Sequence, residues 1–130
     1  MILFVCTGNT CRSPMAAAMA RKMGLQAESA GLSAFPGMPA TPQALRAAQR
    51  HGGDLAGHRA RMVDAAMVKR ADLICPMTRS HALCLLERFP DCAGKIILPD
   101  PEIPDPYGGD DRVYESCIQS LIEMVGELKG

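Results

Sequence analysis

Short apolar runs alternate with longer stretches of mixed polarity along this chain, and their order predicts both strands and helices. Continuous apolar runs rich in Val, Ile and Leu are typical of strands buried on both faces. The predicted strands are 1–6, a weaker 25–30, 71–77 and 95–98. Apolar positions three or four residues apart predict helices. The predicted helices run from Pro14 to about Met23, from Pro42 to about Arg50, over 61–69, from Thr78 to about Phe89, and from Asp111 to about Leu128.

The strands and helices alternate in sequence, which favours a parallel sheet with helices on both faces. We therefore expect an α/β fold, a three-layer αβα sandwich around a central four-stranded parallel sheet. At 130 residues the chain has the length of one domain, so we expect a single domain over residues 1–130.

Small polar residues mark the helix starts. Ser13, Thr41, Thr78 and Asp111 each stand where a helix begins, and side chains of these types accept hydrogen bonds from the first free N–H groups of a helix. Proline follows Ser13 and Thr41, and proline is favoured in the first helical turn.

The number and distribution of charged residues limit which kinds of molecule the chain is expected to bind. Lys plus Arg and Asp plus Glu each number 14, so the formal net charge is zero, which argues against a nucleic-acid partner. Residues 1–61 carry seven bases and two acids, whereas residues 99–130 carry two bases and eight acids. The amino-terminal half could therefore attract an anionic ligand.

The sequence also indicates where in the cell the protein is expected to act and whether it is expected to bind a metal ion. No stretch approaches the roughly 18 apolar residues of a membrane span, and residues 1–6 are too short and too uncharged for a signal peptide. We expect a cytoplasmic protein with no membrane association, whose six cysteines are mostly reduced. None forms C-x2-C, and the three His do not complete a zinc ligand set, so we expect no metal site.

One segment carries candidate chemistry. The first predicted strand runs into Cys6-Thr7-Gly8-Asn9-Thr10-Cys11-Arg12-Ser13 and then a helix. Such a loop can gather N–H groups around an anion at the positive end of the helix. A cysteine there is expected to have a lowered pKa, and Arg12 offers two N–H groups that match two phosphate oxygens. In the plainer interpretation, Cys6 is a buried cysteine at the strand end and Arg12 is solvated.

These residues resemble the low-molecular-weight protein tyrosine phosphatase family. The segment from Val5 to Pro14 is close to the family signature, and further matching motifs follow in the family's order over the whole chain. They are Ser29-Ala30-Gly31, His58-x-Ala60-Arg61, Ala71-Asp72-Leu73-Ile74 and Asp105-Pro106-Tyr107. The resemblance implies the flavodoxin-like fold of that family, no cofactor and a phosphorylated protein substrate; we expect a monomer.

The resemblance also implies catalytic roles. Cys6 would attack phosphorus to form a phosphocysteine, while Arg12 and the amides of the loop hold the phosphate oxygens. Asp105 would protonate the leaving atom and then assist water. From the residues alone, Asp105-Pro106 could equally be a turn. Loop residues Thr7, Gly8, Asn9, Thr10, Cys11 and Ser13 would bind the phosphate, with Phe35 and Tyr107 at the pocket wall.

The remaining implied roles are structural or regulatory. Ser13 would also donate to the Cys6 thiolate. Asn9 would fix an unusual backbone conformation of the loop, supported by Ser29 and His58. Cys11 could form a reversible disulfide with Cys6, or could be a small packing residue; both interpretations stay open.

Three functions remain as alternatives. Thr10, where many of the tyrosine phosphatases carry a bulky aliphatic residue, and Gly108-Gly109 after Tyr107 resemble the protein arginine phosphatase branch, so phosphoarginine is slightly favoured over phosphotyrosine. A thioredoxin-coupled arsenate reductase would need two more cysteines, and Cys75 and Cys84 are the candidates. A phosphate-binding module without catalysis would need neither Cys6 nor Asp105.

Overall fold

The strands form one parallel sheet in the computed structural model, which describes all residues from 1 to 130. The strands are β1 (Ile2–Cys6), β2 (Ala27–Gly31) and β3 (Leu73–Pro76), in the spatial order β2-β1-β3. In the register, Ile2 lies opposite Ala27 on one side and Leu73 on the other. β1 is therefore the central strand, and both of its neighbours hold it in place.

The helices cover both faces of this sheet. They are α1 (Arg12–Lys22), α2 (Pro42–Arg50), α3 (Ala65–Arg70), α4 (Arg79–Arg88) and α5 (Asp111–Lys129), and a 3₁₀ helix spans Pro90–Lys95. Alternate residues of β1 point to opposite faces. Phe4 packs into the larger core with α1 and α5, whereas Leu3 and Val5 pack into the smaller core with residues of α3 and α4. The expected three-layer αβα sandwich is confirmed.

The sheet has three strands rather than the expected four. Only one residue of the segment 95–98 pairs with β3, through an isolated parallel bridge between Ile96 and Ile74. The 3₁₀ helix takes up Lys95, and Pro99 follows directly, so too few residues are left to form a strand. Ile97 and Leu98 are consequently about two-fifths exposed, at 40% and 41%.

Two of the four expected caps are wrong. Thr41 and Thr78 do cap their helices, accepting from the N–H groups of Ala44 and His81. However, α1 begins at Arg12, and the Ser13 side chain turns toward Cys6 instead of the helix N–H groups. Asp110, rather than Asp111, caps α5, because the Asp111 carboxylate pairs with Arg46 at 2.9 Å.

Candidate active site

The loop after β1 forms the floor of a small cleft. β1 ends at Cys6 and α1 begins at Arg12, so residues 7–11 must turn between the carboxyl end of a strand and the amino end of a helix. The cleft has a volume of about 190 Å³ and is lined by Cys6, Thr7, Gly8, Thr10, Cys11, Arg12, Asp105 and Tyr107. Parallel sheets bind ligands at this edge, and the structure brings together here eight of the residues expected from the sequence.

Asn9 gives the loop its shape. Its φ is 59°, a left-handed conformation that Asn tolerates better than most residues. Its side-chain Nδ2 donates to the Ser13 and Ser29 hydroxyls, each at 2.9 Å. His58 Nε2 lies 2.7 Å from the Asn9 carbonyl oxygen, and the Arg61 N–H donates to Asn9 Oδ1 at 3.0 Å. Asn9 is fully buried, so its polar groups have protein partners instead of water. The four bonds together stabilise a backbone conformation that is otherwise unfavourable.

The residues that follow β2 form hydrogen bonds with the loop after β1 and hold it in place. The N–H groups of Leu32 and Ser33 donate to the carbonyls of Cys6 and Thr7 at 3.0 and 2.9 Å. Gly31 allows this approach, because a Cβ there would lie 2.6 Å from the Thr7 carbonyl oxygen. With these carbonyls already bonded to the core, the loop is held in one arrangement.

The Cys6 sulfur is surrounded by donors and is almost fully buried. Ser13 Oγ lies 2.9 Å from Sγ. Burial raises the pKa of the thiol, while the Ser13 hydroxyl, the N–H groups of Ser13 and Asn9, and the Arg12 guanidinium lower it. The net direction is upward, opposite to the sequence expectation, because removal of the sulfur from water outweighs the donors. The donors nevertheless point at the sulfur, as an attacking thiolate requires.

Arg12 and Asp105 face each other across the cleft. Arg12 is buried, and its Nη1 donates to the Ile103 carbonyl at 3.0 Å. Its Nη2 lies 3.7 Å from Asp105 Oδ2. The other Asp105 oxygen accepts from the Tyr107 N–H at 3.1 Å, which fixes the carboxylate in an Asx turn. Asp105 therefore combines both sequence interpretations: it forms a turn, and it points a carboxylate oxygen at the cleft.

His81 is a site residue that the sequence analysis missed. It lies in the first turn of α4, is 7% exposed, and places Nε2 2.9 Å from the Thr7 hydroxyl. Burial and the nearby Arg12 lower its pKa to about 4, so the ring is neutral near pH 7. Nδ1 has no partner; we therefore assign the proton to Nε2, which leaves only a lone pair unpaired. The signal was its position just after β3, at the same sheet edge as Cys6.

Cys11 has its own contacts beside the cleft. Its Sγ lies 3.2 Å from the Tyr114 hydroxyl and 3.7 Å from the Thr41 hydroxyl. Burial raises the pKa of Tyr114 to about 12, so this phenol stays protonated. Cys6 and Cys11 are both free thiols, and a reversible disulfide between them stays a prediction.

Three other expected residues lie away from the cleft. Phe35 is 80% exposed on the loop after β2 and does not line the cleft. Cys75 is buried in β3 with its sulfur 3.6 Å from Met124 Sδ, and burial raises its pKa to about 12. Cys84 is exposed on α4. Neither cysteine lines the cleft, which does not favour the arsenate reductase interpretation.

Displacement at phosphorus by cysteine requires a sulfur in line with the phosphate, fixed positive charge around the oxygens and an acid beside the leaving atom. The cleft brings together a cysteine sulfur, a buried guanidinium and a carboxylate, which are groups that this chemistry uses: Cys6, Arg12 and Asp105. The fold and the site thus define a cysteine-dependent phosphatase.

Comparisons with known proteins agree with this class. The family model "low molecular weight phosphotyrosine protein phosphatase" matches residues 1–129. The protein-tyrosine-phosphatase Wzb of Escherichia coli K12 is 41% identical, over 94% of this chain and 87% of its own. The structure of the arginine phosphatase YwlE from Geobacillus stearothermophilus superposes with a TM-score of 0.92 at 34% identity, covering 98% of this chain and 88% of that one. Another YwlE structure, with a phosphorylated active-site serine, has a TM-score of 0.92 at 30% identity and covers 98% and 91%.

This chain belongs to the low molecular weight phosphotyrosine protein phosphatase family. Its matches include both tyrosine and arginine phosphatases. Arsenate reduction and phosphate binding without catalysis are not favoured. None of the helices has the length and apolar composition of a membrane-spanning segment.

Proposed function

We propose that this enzyme hydrolyses phosphorylated side chains of proteins, with phosphoarginine slightly favoured over phosphotyrosine. The observation that carries the proposal is the wall of the cleft beside the nucleophile. Thr10 lines it, and the only hydrogen bond of its hydroxyl is the contact with Cys11 Sγ at 3.8 Å. The hydroxyl is therefore available to hydrogen-bond near a guanidinium, and its small size leaves room for that group.

The loop after Asp105 supports the same preference. Many tyrosine phosphatases of the family resembled here carry a second aromatic residue after the first, where this chain has Gly108. Gly108 has a φ of 84°, which an aromatic residue adopts only with strain. A Cβ at Gly109 would lie 2.7 Å from the Val113 side chain. One aromatic side chain, Tyr107, is thus left at the cleft to contact a flat group.

The first half of the reaction transfers the phosphoryl group to sulfur. The Cys6 thiolate attacks phosphorus in line, and the bond from phosphorus to the leaving nitrogen or oxygen breaks. Arg12 and the loop amides hold the three equatorial oxygens. Asp105 gives its proton to the leaving atom, so that the dephosphorylated side chain departs as a guanidinium or as a neutral phenol. The product is phosphocysteine.

The second half returns the enzyme to its starting state. The Asp105 carboxylate takes a proton from water as that water attacks the phosphocysteine. The S–P bond breaks, inorganic phosphate leaves, and the thiolate is again available. Arg12 and the amides supply the positive charge that a metal ion would otherwise provide, so no cofactor enters this scheme. We further propose that the enzyme acts in the cytoplasm as a monomer and a single domain.

Replacing Thr10 tests the substrate preference. Thr10→Ile adds bulk where the guanidinium would lie, and we expect kcat/KM for a phosphoarginine peptide to fall relative to a phosphotyrosine peptide by about tenfold, the effect of one misplaced methylene or lost hydrogen bond. Thr10→Ser is the matched control, because it keeps the hydroxyl and should keep the ratio. An unchanged ratio in Thr10→Ile would overturn the preference.

A further inference from the structure

A second cavity lies directly behind the phosphate-binding loop. Its volume is about 380 Å³, and its lining includes Arg21, Ser29, Asp54, His58, Arg59 and Arg61. It shares no lining residue with the cleft at Cys6. Ser29 and His58 nevertheless connect the cavity to the loop after β1, because each of them forms a hydrogen bond with Asn9 of that loop.

Positive charge in this cavity exceeds its negative charge. Arg61 pairs with Glu28 at 2.9 Å. Arg21 and Arg59 form no ion pair; their bonds go to the carbonyls of Ala27 and His58 at 3.1 and 2.8 Å. Each therefore keeps guanidinium N–H groups without a protein partner. The single carboxylate of the lining, Asp54, accepts from the N–H of Ala56 through one oxygen.

A buried donor also lacks an acceptor there. Ser29 is 4% exposed, and its Oγ accepts the Asn9 amide proton at 2.9 Å. The Ser29 hydroxyl proton has no acceptor among the protein atoms. Because Ser29 lines the cavity, a ligand bound there can accept this proton. Donors without acceptors, combined with excess positive charge, indicate an anionic ligand with several oxygens.

We propose that this cavity binds a small tetrahedral oxyanion, a phosphate or sulfate group, through Arg21, Arg59 and the Ser29 hydroxyl. The site reaches the active loop through His58, whose Nε2 lies 2.7 Å from the Asn9 carbonyl. Burial lowers the pKa of His58, and Arg21, Arg61 and Arg59 lower it further. A bound anion offsets those guanidinium charges and raises the pKa again, so binding takes up a proton and strengthens as pH falls.

Sulfate titration of the full chain tests the site, since sulfate is not hydrolysed. The ring resonances of His58 report the cavity, and competitive inhibition of aryl phosphate hydrolysis reports the cleft at Cys6. We expect the two titrations to have different midpoints. Arg59→Ala should weaken the His58 response about tenfold, the effect of losing one charge-assisted hydrogen bond, and leave the inhibition constant within twofold.

Two further variants sharpen this test. Arg21→Gln should weaken the His58 response in the same way, without depending on how Arg59→Ala folds. Arg46→Ala removes an arginine that pairs with Asp111 outside the cavity and should change neither titration. A His58 response that follows the inhibition midpoint, or that survives both Arg59→Ala and Arg21→Gln, would overturn the proposal.

A parallel titration with O-phosphoserine separates a free ion from a phosphate group on a larger ligand. Tighter binding than sulfate, lost in Arg59→Ala, assigns the cavity to a phosphorylated ligand. Equal or weaker binding with the same dependence on Arg59 assigns it to the free ion. If neither compound gives a response that depends on Arg59, the cavity is not an oxyanion site.

Discussion

The Ser13 hydroxyl is the only side-chain hydroxyl that forms a hydrogen bond with the Cys6 sulfur. Because this bond lowers the pKa of the thiol, its removal should raise that pKa. Ser13 Oγ accepts a proton from Asn9 Nδ2 at 2.9 Å. Its own proton can point to Cys6 Sγ at 2.9 Å or to the Ala30 carbonyl at 3.5 Å. The shorter contact favours the sulfur. Ser13→Ala therefore deletes a donor to the thiolate.

The size of the effect follows from the strength of such a bond. A hydrogen bond to a charged group contributes about 1.5–3 kcal/mol, and a change of one pKa unit corresponds to about 1.36 kcal/mol. The pKa of Cys6 should therefore rise further, and at a fixed pH below that pKa the thiolate fraction should fall by about tenfold or more. The backbone N–H groups of Ser13 and Asn9 remain in the variant, so part of the stabilisation of the thiolate persists.

Alkylation by iodoacetamide as a function of pH measures this pKa. The reagent is uncharged, so the positive cleft does not concentrate it. Because Cys84 is exposed and can react with the reagent too, the modified Cys6 peptide must be quantified by mass spectrometry. Ser29→Ala is the matched control, since it removes the other hydroxyl that accepts from Asn9 without removing a donor to sulfur.

Two results would refute the reasoning. An unchanged Cys6 profile in a folded Ser13→Ala variant would mean that the hydroxyl does not donate to the thiolate. An equal shift in Ser29→Ala would mean that the loop conformation, and not the direct bond, sets the pKa. Asn9 keeps its bond to Ser29 in Ser13→Ala, so the loop should hold and the two effects should separate.

Three other predictions concern the acid, the buried histidine and the surface. Asp105→Asn should lower kcat about 100-fold for phenyl phosphate and much less for p-nitrophenyl phosphate, whose leaving group needs little protonation; equal losses would exclude an acid role. His81→Leu should lower kcat/KM about tenfold by releasing Thr7, and His81→Gln, which retains a donor, should restore most of it; if both variants behave alike, the bond has no role. Although partial burial of Glu115 opposes ionisation, hydrogen bonds from His51 and others lower its pKa to about 2. Its stabilisation should therefore be complete above about pH 4.5 and lost as pH falls toward 2, so chemical denaturation of Glu115→Gln should show a deficit of about 1 kcal/mol at pH 7 that disappears near pH 2.

The part of the site formed by residues that are close together in the chain could be predicted from the sequence. Cys6 and Arg12 stand at the end of one element and the start of the next, so a strand followed by a helix is enough to bring them to one loop. Asp105 could be proposed only through the family resemblance, because it lies in residues 96–110, a segment without helices or named strands that is far from the loop in sequence. The sequence alone does not determine which of the acids in that segment meets Arg12.

Features that depend on competing contacts could not be predicted. Ser13 has the sequence pattern of a helix cap, but its hydroxyl bonds to Cys6 and Asn9 instead. The segment 95–98 has an apolar strand pattern, but the 3₁₀ helix before it and Pro99 after it leave one paired residue. His81 was missed because its partner, Thr7, lies 74 positions away.

Cys6 ends the central strand of the sheet, so it lies in a part of the molecule where substitutions disturb the core, whereas the aromatic residues near the cleft lie where they do not. Cys6 and its loop are bonded to the buried sheet, whereas Phe35 and Tyr107 are 80% and 73% exposed on peripheral loops. Tyr107 also lines the cleft, so replacements at this position can change which side chains fit there while the loop at Cys6 stays the same. Substitutions at such an exposed position leave the buried bonds of the Cys6 loop in place.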